Sequence, residues 1–297
     1  MCLAAFVIVG CDTEEPEAET GQVVEEQPEE DQPLNETLHV LAIGNSFTNN
    51  ATYYMPQLLY DLYGDHEMVF AKVVKSGSSL TDCWNSISSG GRTYEYYRIT
   101  GDSWRQAPSS VSVTEALDKE PWDIIVIQQV SGLSGIPESY EPYLSNIVKE
   151  IRTHCPQATI GWQMTWSYAR SSTHPDFKRY QHDSQKMYDC IVNSLDRVRP
   201  HVDFIIPSGT LIQQLRQTEY NTAGDLTEDG YHLATGLPRY ALACLWHEHI
   251  ISPYTQRATR ENRLRPKEAV PVTEEAAQII DRMISDINSA QSALTDI

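Results

Sequence analysis

Several things are missing from this sequence, and each absence narrows what it can be. No Lys or Arg occurs in residues 12–33, where ten acidic side chains stand. Without those ten, the net charge of −19 falls to nine excess negatives over the rest of the chain. A moderately acidic body repels phosphate backbones, which argues against a nucleic-acid partner. No GxGxxG and no GxxxxGK[ST] is present, so the common dinucleotide and nucleotide cradles are absent. No CxxC pair occurs among Cys83, Cys155, Cys190 and Cys244, so a zinc site is not expected. Those four thiols are equally compatible with disulfides and with free buried cysteines.

The N-terminal apolar run "MCLAAFVIVGC" is too short to span a bilayer. It resembles the lipobox of a bacterial lipoprotein signal, which implies a lipid on Cys11 and a place in the cell envelope, outer membrane or cell surface. An ordinary secretory signal, leaving the protein secreted or periplasmic, and a buried N-terminal strand are the alternatives. "DTEEPEAETGQVVEEQPEEDQP" follows, rich in Pro and Glu and poor in large apolar residues. Such a stretch cannot bury enough surface to offset its ordering entropy. The expected layout is a signal segment over 1–11, a disordered acidic tether over 12–36, and one domain over 37–297.

What the body does have is alternation. "LHVLAIG" (38–44), "EMVFAKVVKSG" (67–77), "WDIIVIQQ" (122–129), "ATIGWQMTW" (158–166) and "VDFIIPSG" (202–209) read as strands. Between and after them lie helical patterns at 52–64, 112–118, 140–155, 176–198, 234–251 and 273–294. Met55, Leu58, Leu59 and Leu62 illustrate the spacing, and Gly64 stops that helix. The third strand is nearly continuous in Ile and Val, as a strand buried on both faces should be. This predicts an α/β fold: a three-layer α/β/α sandwich on a parallel sheet of about five strands. "RTYEYYRITGDSW" breaks the pattern and reads as a β-hairpin inserted near 90–110. Two roles suit it equally: a wall over the substrate, or a packing flap or oligomer contact.

In such sheets ligands bind beyond the carboxyl ends of the strands. "GNSFT" stands at the first of these ends and offers Ser46, either as a helix cap or as a nucleophile. "DGYH" near the other end of the chain offers Asp229 and His232 three residues apart. A Ser hydroxyl needs such a base, and the base needs a carboxylate to hold its tautomer. His247 and His249 are two apart on a helix and face apart, which suits a shared metal poorly. His154, His174, His182 and His201 read as surface residues.

"GNSFT" and "DGYH" together, framing five strand–helix units, resemble the first and last blocks of the SGNH/GDSL esterases, a flavodoxin-like α/β/α family. The resemblance spans roughly residues 38–251. Gly77 in "VVKSGSS" matches the second block. The third departs, because "VIQQVSG" has no Gly-x-Asn. The resemblance implies a Ser46–His232–Asp229 triad and an oxyanion hole of Ser46, Gly77 and Gln128. Gln129 is the second choice for the missing Asn, and Asn45, Gln129 and Trp166 are candidate pocket residues. Neither metal nor organic cofactor is implied. The implied activity is hydrolysis of an ester, in particular a small O-acyl group on a carbohydrate. A glycan-binding module of weak or no activity on the same fold is the alternative.

Overall fold

A computed structural model describes residues 37–64 and 68–295. The expected signal segment, the tether and Cys11 lie outside the described residues. In chain order the elements are β1 (His39–Gly44), α1 (Ser46–Ala51), α2 (Met55–Tyr63), β2 (Val69–Val74), α3 (Leu80–Ser89), β3 (Glu95–Thr100), β4 (Ser103–Gln106) and α4 (Val113–Leu117). There follow β5 (Ile124–Ile127), α5 (Tyr143–His154), β6 (Thr159–Gln163), α6 (Ser184–Val198), β7 (Phe204–Ile206), α7 (Ser208–Leu215), α8 (Leu237–Ile250), α9 (Ser252–Thr255) and α10 (Glu274–Thr295).

The sheet has seven strands in the order β4-β3-β2-β1-β5-β6-β7. Five of them, β2-β1-β5-β6-β7, run parallel, and β1 is the middle strand of the whole sheet. These are the five strands expected from the apolar runs. Side chains alternate between two helical layers. On one face Phe70 of β2 meets Trp246 of α8, and on the other Trp162 of β6 meets Tyr140 beside α5. Helix α8 is buried on nearly every side, as its almost uniformly apolar sequence requires. Capping boxes start α3 at Ser79 with Asp82, and α4 at Ser112 with Glu115.

The structure differs from the sequence expectation in three places. The hairpin is the edge of the main sheet rather than an insertion above the strand ends. Strand β3 pairs antiparallel with β2, and β4 continues outward. Its polar–aromatic alternation is that of an edge with one covered face. Trp104 packs on Phe70 and donates its indole N–H to the Thr52 carbonyl at 3.1 Å. The helix expected over 176–198 is split into a 3₁₀ turn, Pro175–Tyr180, and α6. Gln181 and His182 take left-handed φ at the break, and Asp183 then caps α6 through the Lys186 N–H. Helices α3 and α7 were not expected. All four body cysteines are free thiols.

Candidate active site

Ser46 is the first residue of α1, and only Asn45 separates it from the end of β1. Asn45, almost fully buried, caps α1: its Oδ1 accepts the Phe47 N–H at 2.9 Å. That backbone donor fixes the orientation of the amide. Asn45 Nδ2 then donates to the Ser78 carbonyl at 2.9 Å, tying the end of β1 to the loop after β2. An Asp at this position would face that carbonyl with a carboxylate instead of a donor. Gln128 Nε2 donates to Asn45 Oδ1 at 2.7 Å, and Gln128 Oε1 accepts the Thr48 hydroxyl at 2.8 Å. The ends of β1, β2 and β5 are thus joined around Ser46. Gly44 makes room for this: a Cβ there would lie 2.1 Å from Thr48 Oγ1.

The second half comes from residues 227–233. Asp229 Oδ1 accepts the Tyr231 and His232 backbone N–H groups at 3.1 and 2.8 Å, which closes a tight turn. The Glu228 N–H donates to the His232 carbonyl at 2.9 Å, and the Gly230 carbonyl accepts the Ala169 N–H at 2.8 Å. Gly230 has φ +92 and its Cα side faces Ser172, so a side chain there meets both a strained backbone and a neighbour.

The turn leaves Asp229 Oδ2 2.6 Å from His232 Nδ1, and His232 Nε2 2.8 Å from Ser46 Oγ. In the tautomer whose Nδ1–H donates to Asp229 Oδ2, Nε2 is left to accept the Ser46 hydroxyl. Burial alone pushes the Asp229 carboxyl up. The hydrogen bonds from His232 and Tyr231 outweigh this and hold it below the usual carboxylate range.

These residues lie in a chain with recognisable relatives. A family model described as a domain of unknown function, DUF4886, matches residues 39–282. The chain belongs to the DUF4886 family. It is similar to the crystal structure of a DUF4886 family protein from Bacteroides uniformis, with 32% identity over 83% of this chain and 93% of that one, at a TM-score of 0.73. It is also similar to a putative SGNH hydrolase from Slackia heliotrinireducens, with 18% identity over 72% of this chain and 98% of that one, at a TM-score of 0.47. The acetylxylan esterase Axe2 from Geobacillus stearothermophilus shows 13% identity over 74% of this chain and 97% of its own, at a TM-score of 0.49. No curated protein matches the chain.

The other residues singled out in this DUF4886 protein fall into two groups. Gly77 is exposed, in the turn closed by the Ser78 N–H on the Lys75 carbonyl, and its φ of +66 suits the third position of a type II turn. Asn45 and Gln128 form the buried network beneath Ser46. Gln129 and Trp166 do not reach the Ser–His pair by hydrogen bond. Gln129 Oε1 accepts the Leu80 and Val130 N–H groups, and its Nε2 donates to Ser139. It anchors the start of α3. Trp166 is fully buried, so it is packing and not pocket wall. It stacks on Phe47 at 4.0 Å and donates to the Tyr231 carbonyl at 2.8 Å.

Two supports had no sequence signal. Asn50 Oδ1 accepts the Leu233 N–H at 2.7 Å and fastens α1 to the histidine turn. His174, expected at the surface, is half-buried, with its ring 4.7 Å from both Tyr168 and Tyr231. Tyr231 in turn packs against His232 at 4.1 Å.

Proposed function

We propose that this protein is a serine esterase of the SGNH/GDSL type that removes a small O-acyl group, acetyl above all, from a carbohydrate. One observation carries the reading: the hydrogen-bonded line Ser46 Oγ, His232 Nε2, His232 Nδ1, Asp229 Oδ2, assembled from opposite ends of the domain.

In this reading His232 takes the Ser46 proton as Oγ attacks the ester carbonyl. Asp229 stabilises the resulting imidazolium and keeps the ring oriented. The tetrahedral oxyanion is met by backbone N–H groups. Ser46 opens α1, so its N–H has no acceptor within the helix. The Gly77 N–H lies in the exposed turn that Asn45 holds through Ser78. Gln128 supports both by fixing Asn45. His232 then protonates the leaving alcohol, and water attacks the acyl–Ser46 ester with His232 as base. The backbone donors matter here because losing one oxyanion-hole donor costs on the order of 10²–10³ in turnover.

Reaction with a fluorophosphonate probe and peptide mass mapping tests the nucleophile. Labelling confined to Ser46, absent after His232→Ala, supports the reading. No labelling of the folded protein, or labelling elsewhere, contradicts it. Glycan binding without labelling would instead favour a non-catalytic binding module.

A further inference from the structure

A concave site lies close in sequence to the histidine turn. It is a pocket of about 500 Å³ between the start of α6, the end of α7 and the loop before Asp229. Asp225, on its wall, is four residues before Asp229, so the two are at most about 14 Å apart along the chain. Ala169 holds Gly230 and the adjacent Arg170 holds Asp225, so one loop serves both sites.

The lining is almost wholly hydrogen-bonding. Five of its side chains are carboxamides: Gln181, Gln185, Gln213, Gln217 and Asn221. Its charges cancel, with Arg170 and Arg216 against Asp183 and Asp225. Both cations are engaged: Arg170 on the Asp225 carboxylate at 2.6 Å, and buried Arg216 on Ser167 and the Asp225 carbonyl. Neither Arg is left free to hold a phosphate or carboxylate, and no carbocyclic aromatic ring is among the described residues that line the pocket.

Two further features mark it as more than a crevice. Asn221 lines the pocket, and its buried Oδ1 has no hydrogen-bond donor among the described residues, a costly state that a turn of the amide toward a ligand hydroxyl would relieve. Gln181, His182 and Asp225 all have left-handed φ, at 59°, 56° and 50°. Non-glycine residues held so cost free energy and gather at ligand clamps. The side chains of Gln181 and Gln217 make no hydrogen bond among the described residues and are exposed at the rim.

A carboxamide presents a donor and an acceptor side by side, and so does a hydroxyl. We propose that this pocket binds a neutral polyhydroxylated ligand: an unacylated sugar unit. That the sugar belongs to the same glycan whose ester reaches Ser46 rests on the esterase reading; the chemistry of the pocket does not.

The test is calorimetric titration with xylohexaose, mannohexaose and inorganic phosphate. The proteins are wild type, Ser46→Ala and the double variant Gln181→Ala/Gln217→Ala, whose sites are exposed and should leave the melting temperature unchanged. Expected is binding of at least one hexaose, equal in wild type and Ser46→Ala, and weakened about tenfold in the double variant. Asn221→Leu should abolish it. No hexaose binding at millimolar concentration, unchanged affinity in the double variant, or phosphate binding in preference to sugar would overturn the proposal. Binding without ester turnover would remove the esterase and leave the pocket. Turnover without binding would remove the pocket alone.

Discussion

Replacing Gly44 by Ala should loosen the nucleophile turn through a single hydroxyl. The new Cβ would lie 2.1 Å from Thr48 Oγ1 and 3.0 Å from the Gln128 side chain. The second contact needs only a small shift of a flexible side chain. The first cannot be accommodated, so the Thr48 hydroxyl must leave Gln128 Oε1, from which it now lies 2.8 Å. Overpacking costs about 1–3 kcal/mol, and stranding a buried acceptor costs about 1–3 kcal/mol more. Gly44→Ala should therefore destabilise by about 2–6 kcal/mol, much of a typical domain's margin. Thr48→Ala strands the same acceptor without the clash and should cost about 1–3 kcal/mol. Because one hydroxyl causes most of both effects, the double variant should be no worse than Gly44→Ala alone. With the clash gone and the acceptor stranded only once, the favourable coupling should be about 2–6 kcal/mol, the whole cost of Gly44→Ala. Urea unfolding followed by tryptophan fluorescence measures all four corners of the cycle. Additive costs, with coupling below about 0.5 kcal/mol, would refute the placement of Thr48 and Gln128 beneath Ser46.

Three other outcomes are expected. Asp229→Asn retains an acceptor for the Tyr231 and His232 N–H groups but offers His232 Nδ1 an N–H, which forces the proton onto Nε2. Turnover should fall by roughly 10⁴ with little change in stability, the effect seen when a triad Asp becomes Asn; a drop below tenfold would remove the tautomer role. His247 is fully buried between Tyr63 and Thr259, and burial lowers its pKa from 6.5 to about 4. The unfolded chain therefore takes up this proton first. Stability is whole above pH 6.5 and should be lost at about 1.4 kcal/mol per unit as pH falls toward 4, a slope that His247→Gln should lack in urea titrations. Lys72 is buried in β2 under the Trp104 ring at 4.0 Å, without a carboxylate partner among the described residues, and burial lowers its pKa to about 7. Lys72→Met keeps the stem and removes the buried amine, so it should raise the unfolding free energy by about 1–3 kcal/mol at pH 7; destabilisation would show that the cation–π contact outweighs desolvation.

The parallel core was legible because its strands are short apolar runs that need no partner to be recognised. "IIVI" can hardly be anything but a strand covered on both faces. The hairpin's strands were equally visible, but not their place. Whether "EYYRIT" covers the strand ends or extends the sheet depends on pairing with Ala71–Val74, a register that local sequence does not encode. Helix α3 was hidden by its polar composition, although Ser79 and Asp82 form a capping box at the right spacing. Ser46 was singled out by residue type and its place at a strand end, and Asp229 and His232 by their three-residue spacing; the fold brings the three side chains together. The work of Gln128 and Gln129 was not legible, because a carboxamide does the same chemistry to an oxyanion, a helix start or another amide. Only the fold shows that Gln129 takes the Leu80 N–H and Gln128 takes Asn45 and Thr48.

The most direct test of the central claim is the rate of p-nitrophenyl acetate and acetylated xylo-oligosaccharide hydrolysis by wild type, Ser46→Ala and His232→Ala. The account predicts turnover in the wild type and a loss of at least about 10³ in each variant, with thermal unfolding unchanged, as for removal of a triad member. Equal rates in all three proteins would contradict it: Ser46 and His232 would then be a structural hydrogen bond and not a nucleophile and its base.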